Sequence, residues 1–589
     1  MSTRPESAAS SIRQAFDLCV CFVLAVILLR AFVLEGYLIS TGSMAPGLLG
    51  FHRQITCPSC QYPFAFGVAF DDSVSPESGH LREPEGLRRL ATCPMCGQQA
   101  IDVAEIPTSH GDQLLVNKHV YDLRRPRRWE TVVFRNPSSP REAFVKRIVG
   151  LPGESIRIIN GDVHINGELI RKSLPQQLDL RIPVCDLRYS ASSENWQLPW
   201  DADAEWQFHN AEFQLRTPPS GSSADMTSDN SDAATDFTPH WIRFRNWRWT
   251  GGHHIAETPL QAEDATDDWQ RFQDQFADIP LALSAQVNYD HERQVLMCEG
   301  VMTPELQQSL LQLASNTAFS AAVFRLAALS HLAPITDRYG YNSQLGSPEH
   351  VVSDLMLETE LQWTDVPRAI HVRIPIGADT FGLVLQPAQN SILLMSLEDK
   401  QILRQGTLQP LLNRPGGLKL QVSGFDRQIL VAVDDQQAFP ALPVDGADTA
   451  TPFVEASVSP IDGKRMDPER AALIQLRQEQ QNRWALGVAA QSVTVVSLRM
   501  YRDVFYTPGR RRNAVDSEFQ IPENCYFVQG DNSPVSSDSR NWEQPAVPHN
   551  LLLGKPFLVH LPSRPSILQF AGREWPIRIP DWRRIRYIH

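Results

Sequence analysis

Two polar residues in apolar surroundings could together form a hydrolytic pair. Ser43 lies in the stretch 41–46, between a glycine and an apolar residue, where a turn can project its hydroxyl. Lys146 lies in the apolar stretch 144–149, where burial would lower the pKa of its amine from ~10.4 toward neutrality. A neutral amine can take a serine proton, as histidine does in triad enzymes. The alternatives are an ordinary turn serine and a strand lysine that reaches water.

A third stretch of small polar residues could support such a pair. Residues 530–540 read Gly-Asp-Asn-Ser-Pro-Val-Ser-Ser-Asp-Ser-Arg. Packed hydroxyl and carboxylate groups of this kind could orient a lysine amine. The same composition is also typical of a turn-rich surface loop, so this stretch alone does not decide between the two.

Four cysteines form two C-x-x-C pairs, Cys57 with Cys60 and Cys93 with Cys96. Four thiolates at this spacing favour a tetrahedral zinc ion, and an all-cysteine site is closed and structural. The alternative is disulfides, which form in oxidising compartments. We therefore expect a structural zinc and no cofactor for catalysis.

An apolar segment lies near the N-terminus. Residues 15–34 read AFDLCVCFVLAVILLRAFVL, with Asp17 and Arg30 as the charged members. Twenty helical residues span ~30 Å, the thickness of the hydrocarbon layer, which predicts a single transmembrane anchor. A cleaved signal peptide and a buried core helix are the alternatives. Arg4 and Arg13 favour a cytoplasmic tail over 1–14, with the rest of the chain on the extracytoplasmic side of the cell membrane.

Length and charge narrow the classes of protein. The 589 residues exceed what one core holds and predict about three or four domains. The formal net charge of −13 argues against a nucleic-acid binder, which needs a basic face.

Six segments, in this order, resemble the bacterial type I signal peptidases, which are Ser–Lys serine endopeptidases. The resemblance covers roughly 15–56, 100–172 and 510–562. The segments are the anchor, the Ser-Met-x-Pro stretch 43–46, the strand region 111–121, Glu-Thr-Val-Val-Phe at 130–134, Lys-Arg through Leu-Pro-Gly at 146–153, and Gly-Asp-Asn through Asp-Ser-Arg at 530–540.

The resemblance implies a role for each matching residue. Ser43 matches the nucleophile and Lys146 the general base. Thr41 matches a hydroxyl that helps to bind the oxyanion, and Ser536 matches a serine that hydrogen-bonds the lysine amine. The remaining matches are an ion pair that supports the site, Asp538 with Arg540, and two residues of the substrate pocket, Ile39 and Met44.

The sequence also departs from the family pattern. Ser40 and Gly47 replace a proline and a threonine, and Ser533 with Pro534 replaces an Arg-Asp pair. None of these positions carries the chemistry, so the expected activity is unchanged: removal of N-terminal signal peptides from exported preproteins after small-x-small sites. The expected partners are preprotein signal peptides and membrane lipid.

The predicted fold is mainly β. We expect a signal-peptidase-like catalytic domain after one transmembrane helix, in two parts, 35–173 and 507–589. A zinc-ribbon-like insert occupies 55–100. A β-sandwich insert, vaguely like concanavalin or laminin-G domains, occupies 174–506 and could bind a glycan or a protein. The alternative function is a membrane-tethered binding protein in which this sandwich works on a degenerate peptidase scaffold.

Overall fold

The computed structural model describes most of the chain. The described residues are 7–68, 90–98, 101–137, 139–191, 196, 198–216, 238–246, 249–250, 253–261, 286–300, 302, 304–314, 317–330, 335–342, 350–377, 379–408, 416–444, 483–560, 562–570 and 573–588. Within them the helices are α1 (Ser7–Phe32), α2 (Val120–Leu123), α3 (Leu174–Leu180), α4 (Pro304–Leu313) and α5 (Thr317–Leu329).

The strands before the large insert are β1 (Leu34–Leu38), β2 (His52–Thr56), β3 (Pro63–Gly67), β4 (Leu90–Ala91), β5 (Ile101–Asp102), β6 (Thr108–Ser109), β7 (Gln113–Asn117), β8 (Thr131–Asn136), β9 (Ser139–Gly150), β10 (Ser155–Ile159), β11 (Asp162–Ile165) and β12 (Glu168–Leu169).

The strands of the insert are β13 (Ile182–Asp186), β14 (Trp200–Ala202), β15 (Trp206–His209), β16 (Glu212–Arg216), β17 (His240–Phe244), β18 (Trp249–Thr250), β19 (His253–Pro259), β20 (Val287–Asp290), β21 (Val295–Glu299), β22 (Leu355–Trp363), β23 (Ala369–Ile376), β24 (Asp379–Gln386), β25 (Ser391–Ser396), β26 (Ile402–Thr407), β27 (Gly416–Ser423), β28 (Gln428–Val433), β29 (Gln436–Gln437), β30 (Leu442–Pro443), β31 (Ala485–Ala489) and β32 (Ser492–Arg502).

The remaining strands are β33 (Phe519–Gln520), β34 (Cys525–Gln529), β35 (Ala546–Pro548), β36 (Leu552–Val559), β37 (Ser563–Phe570), β38 (Arg573–Pro580) and β39 (Arg586–Tyr587). The prediction of a mainly β protein is therefore confirmed for the described residues.

One sheet unites the two ends of the chain. Its strand order is β1-β7-β36-β8-β9-β34-β35, with β39 beside β36. Apolar side chains of β8 and β9 are fully buried, Val132, Val133 and Phe134 on one strand and Ile148 and Val149 on the other. Because β34 pairs with β9, the loop after β34 lies next to the strand that holds Lys146.

A hairpin predicted by the Asn160-Gly161 dipeptide is present. Strands β10 and β11 pair with Ile159 opposite Asp162. Asn160 has φ +50° and Gly161 φ +89°, the left-handed values that a type I′ turn requires. This hairpin joins β12 and β33 in a separate four-stranded sheet.

The large insert is built on two further sheets. One has the order β15-β16-β32-β22-β27-β28-β29, and the other β14-β17-β31-β23-β24-β25-β26. Their inward side chains, such as Leu357 and Leu420 from the first and Val372 and Leu394 from the second, share one hydrophobic core. The likeness to concanavalin or laminin-G domains and the predicted domain boundaries stay predictions.

The N-terminal segment differs from its prediction. Helix α1 covers Ser7–Phe32, whereas the predicted span was 15–34. Leu34 is instead the first residue of β1, because it pairs with Asn117 of β7. Among the described helices, none is both long and apolar enough to cross a membrane. The predicted transmembrane anchor is therefore not supported.

Candidate active site

Ser43 lies in a turn that directly follows β1. The chain leaves the strand at Ile39, whose amide donates to the carbonyl of Asp112 at 2.9 Å. Beyond Ser43 the turn is closed by two backbone hydrogen bonds, from Ala45 to Gly42 at 3.1 Å and from Leu48 to Met44 at 2.8 Å. This geometry directs the Ser43 side chain away from the strand it follows, toward β9.

Lys146 lies in the middle of β9, opposite Val132 of β8. Its Nζ atom is 2.5 Å from the Oγ atom of Ser43, although 103 residues separate the two in sequence. Only 8% of the Ser43 surface and 4% of the Lys146 surface are exposed. The two residues that the sequence singled out thus form a buried hydrogen-bonded pair.

Burial sets the protonation state of Lys146. Loss of solvent lowers the pKa of its amine to about 8, and the nearby Arg540 guanidinium acts in the same direction. Asp538 acts in the opposite direction by stabilising the ammonium. A minor fraction of the amine is therefore neutral just below pH 8, far more than for an exposed lysine, and the neutral form is the one that can accept a proton from a serine hydroxyl.

The loop after β34 closes the site on the side of the Ser43 backbone. A Cβ atom at Gly530 would lie 2.4 Å from the carbonyl oxygen of Ser43, so only glycine permits this approach. Two residues further on, Asn532 donates from its backbone amide to the same carbonyl at 3.0 Å. Its side-chain Nδ2 donates to the Gly42 carbonyl at 2.9 Å. The loop thus holds the backbone of the nucleophile turn directly.

Asp538 and Arg540 form the ion pair that the resemblance implies. Both side chains are fully buried, with two charged hydrogen bonds of 2.9 and 2.6 Å. Asp538 also accepts from the amide of Gly530 at 3.0 Å, and Arg540 donates to the carbonyl of Thr507 at 2.6 Å. Burial raises the pKa of Asp538, but Arg540 outweighs it, so this pKa lies below its ordinary value. The pair braces the loop that approaches Ser43.

Four other predicted residues lie around the pair. Thr41 is exposed, and its Oγ1 lies 3.4 Å from the Oγ of Ser43. Ile39 and Met44 are buried in one apolar cluster, against which Val145 packs. Ser536 is buried and close to Gly530. Its hydroxyl contributes to the lowered pKa of Asp538 as a hydrogen-bonding neighbour, whereas the expected bond to the Lys146 amine is not seen.

An ion pair beside the dyad was not predicted from the sequence. Arg147 forms two hydrogen bonds with the carboxylate of Asp531, at 2.8 and 2.7 Å, and a third with Asp179 at 2.9 Å. Arg147 and Asp531 are both in the matched segments, directly next to Lys146 and Asn532. Their charges were a visible signal, but nothing in the spacing of residues 384 positions apart indicates that they meet.

The four predicted metal ligands meet in one buried cluster. The Sγ atoms of Cys57, Cys60, Cys93 and Cys96 all lie within 4.8 Å of one another. Two of the distances are 3.6 Å, Cys57 to Cys96, and 3.7 Å, Cys60 to Cys93. Four sulfurs at ~2.3 Å from a tetrahedral zinc ion would be ~3.8 Å apart, whereas a disulfide bond measures ~2.05 Å. The cysteines therefore fit zinc and are not disulfide-bonded in this structure.

Two segments of the chain match a known protein family. The model of the family "Signal peptidase, peptidase S26" matches residues 104–199 and 460–561. These segments include Lys146, Ser536, Asp538 and Arg540, and they flank most of the large insert. Over these two segments the chain is similar to the signal peptidase S26 family. The resemblance to type I signal peptidases is thereby confirmed.

Individual S26 relatives match over short stretches. A probable signal peptidase I-2 of Synechocystis sp. is 43% identical over 65 residues, 10% of this chain and 29% of its own length. A signal peptidase I of Pseudomonas aeruginosa is 38% identical over 77 residues, 11% of this chain and 27% of its own length. The chain thus spans less than a third of the length of these two relatives.

Among solved structures, the galectin LEC-6 of Caenorhabditis elegans aligns with 28% of this chain and 90% of its own length. The identity is 9% and the TM-score 0.17. A TM-score this low carries no argument about the large insert.

Proposed function

We propose that this protein is a serine endopeptidase that removes N-terminal signal peptides from exported preproteins through a Ser43–Lys146 dyad. The observation that carries the proposal is the 2.5 Å contact between the Lys146 amine and the Ser43 hydroxyl, in a site shielded from water. The match of two segments to the S26 family model supports the class of substrate. The family is generally membrane-associated, and a location on the extracytoplasmic side of the membrane stays a prediction.

The proposed reaction has two halves. Neutral Lys146 accepts the proton of Ser43 as the serine oxygen attacks the carbonyl carbon of the scissile peptide bond. The resulting ammonium then gives that proton to the leaving amine, and an acyl-enzyme forms. Water, deprotonated by the same lysine, attacks the ester carbonyl. The lysine then gives that proton to the departing Ser43 oxygen, which releases the signal peptide and restores the serine. The backbone amide of Ser43 and the Thr41 hydroxyl are the proposed donors to the oxyanion, a kind of donor worth ~10²–10³ in rate.

Among the described pairings, β9 has an unpaired edge beside the dyad that could accept a substrate strand. Strand β9 pairs with β8 along most of its length. Its pairing with β34 begins only at Arg147. In the described pairings, the edge of β9 at 143–146 is therefore open on that side. We propose that a signal peptide adds here as an extended strand, with its small side chains directed at the cluster of Ile39 and Met44.

Cleavage of a preprotein tests the proposal directly. Purified full-length protein is incubated with preproteins that carry small-x-small sites, and mass spectrometry identifies the new N-termini. We expect a cut directly after the second small residue, and no product from Ser43→Ala. Ser396→Ala, a serine of the large insert, serves as the matched control and should cleave normally. Wild-type protein that cleaves none of several preproteins would contradict the proposal and favour a binding role for the insert. Neither a glycan nor a protein ligand of the insert has support.

We further infer that the four-cysteine cluster holds one structural zinc ion. Cys57, Cys60, Cys93 and Cys96 would be its ligands, and the ion would cross-link strands that otherwise have a small apolar core. It supplies no group to the proposed reaction, because an all-thiolate site leaves no open position.

Metal analysis of the full-length protein tests this inference. We expect about one zinc ion per chain, and a loss of most of it in Cys93→Ser because three thiolates bind far less tightly than four. Cys298→Ser, a buried cysteine outside the cluster, is the control that keeps its zinc. The intact mass is also measured without reductant. A protein that holds no zinc and is ~4 Da lighter than its fully reduced form would contain two disulfides, which would overturn the assignment.

A further inference from the structure

A segment of the large insert lies against the turn that carries Ser43. It comprises residues 335–342, between the helical part of the insert and β22. A Cβ atom placed on Gly42 would be 2.0 Å from the Tyr341 ring, so this ring packs directly on the residue before the nucleophile. Tyr341 is fixed there, because its hydroxyl donates to the Phe51 carbonyl at 2.9 Å and its carbonyl accepts from Gly67 at 2.8 Å.

The next residue, Asn342, pairs with Asn532 through both side-chain amides. Each Nδ2 donates to the Oδ1 of the other at 2.8 Å. Asn532 must also present Nδ2 to the Gly42 carbonyl, because two carbonyl-type oxygens cannot hydrogen-bond each other. Its Oδ1 is then directed at Asn342. The Asn342 amide therefore satisfies and fixes the one orientation of Asn532 that holds the nucleophile turn.

The same segment also contacts the lysine side of the site. The hydroxyl of Tyr339 donates to the carbonyl of Asp531 at 2.6 Å. Asp531 in turn holds Arg147, the residue after Lys146, by two charged hydrogen bonds. The Tyr339 ring is itself covered by the Arg502 guanidinium, 4.8 Å from the ring centre. One short segment of the insert thus supports the backbone next to both members of the dyad.

We propose that residues 339–342 are positioning residues for the Ser43–Lys146 dyad, so that the large insert is an obligatory part of the active site. The inference rests on the proposed function and adds to it a dependence on the insert. A nucleophile must be held within a few tenths of an ångström of its productive position, and a 1 Å misplacement can cost ~10²-fold in rate. The Asn342–Asn532 pair is the contact on which this placement depends most.

Two substitutions of Asn342 test the proposal, and each removes a different part of its side-chain amide. Asn342→Ala removes the whole amide, whereas Asn342→Asp keeps the shape and removes only the donor that faces Asn532. In the aspartate variant, Oδ1 of Asn532 faces a carboxylate oxygen, so the Asn532 amide rotates and releases Gly42. We expect both variants to lower kcat for preprotein cleavage by ~10–10²-fold while KM changes less than ~2-fold. A role of Asn342 in packing alone would spare the aspartate variant.

Hydrogen exchange gives a readout that does not need activity. We expect the peptide spanning 39–49 to exchange faster in Asn342→Asp than in wild type, because the turn has lost the hydrogen bond from Asn532. Asn288→Ala is the control, an exposed asparagine elsewhere in the insert, and should match wild type in both measurements. If wild type cleaves and Asn342→Asp keeps its kcat and its exchange rate, the inference fails and the proposed function stands. If wild type does not cleave, the proposed function fails, and unchanged exchange in Asn342→Asp separately overturns the contact.

Discussion

Lys146→Ala is expected to lower kcat/KM for preprotein cleavage by ~10⁴-fold or more, the scale seen when a member of a catalytic unit is removed. The amine lies 2.5 Å from the hydroxyl that it would deprotonate, and no imidazole is hydrogen-bonded to Ser43 among the described residues. Lys146→Arg should be equally inactive, because a guanidinium stays protonated and cannot act as a base. Initial rates with a small-x-small preprotein measure the loss.

The dependence of wild-type kcat/KM on pH is a second test of Lys146 as the base. Because burial lowers the pKa of Lys146 to about 8, the amine is protonated and inactive below that pH. We expect kcat/KM to rise about tenfold per pH unit up to about pH 8 and to level off above it. Lys419→Ala, a surface lysine of the large insert, is the control and should retain both rate and profile. A flat profile between pH 6 and 9, or activity in Lys146→Ala within tenfold of wild type, would remove Lys146 from the role of base.

Asp538→Ala is expected to destabilise the loop beside the dyad by ~3–5 kcal/mol, the usual cost of leaving one charge of a buried pair without its partner. Asp538 and Arg540 have no exposed side-chain surface, so water cannot replace the lost carboxylate. The depressed pKa of Asp538 means that its contribution is complete above the ordinary carboxyl range and is lost only as the pH falls through that depressed value. The stabilities of wild type and Asp538→Ala should therefore be compared at neutral pH.

Hydrogen exchange of peptides that cover β34 and residues 530–540 measures this local stability without assuming that the whole chain unfolds in one step. The expected free-energy loss corresponds to exchange faster by ~10²–10⁴-fold. Asp516→Ala breaks an exposed pair with Arg512 and is the matched control, worth less than ~1 kcal/mol. Equal effects of the two substitutions would mean that the buried pair does not stabilise the loop.

The sequence by itself determined the members of the candidate site and much of the local structure. Ser43, Lys146 and the Asp538–Arg540 pair were identified from motif order, and the Asn160-Gly161 hairpin from turn chemistry that depends on only two residues. Helix α1 was indicated by its apolar run, but its ends were not, since the start of β1 depends on the pairing of Leu34 with the distant Asn117 of β7. A sequence pattern reflects the conformational preferences of neighbouring residues, so it does not predict the pairing of strands that are distant in the chain.

Tertiary structure decided how these parts meet. It placed Lys146 against Ser43 without the additional bond expected from Ser536, and it brought Tyr341 and Asn342 from the large insert onto the nucleophile turn. No periodicity or spacing relates Asn342 to Asn532, which are 190 residues apart. Such contacts follow from how the two inserts and the uniting sheet fold onto each other, because side-chain hydrogen bonds act over only about 3 Å and leave no pattern along the chain.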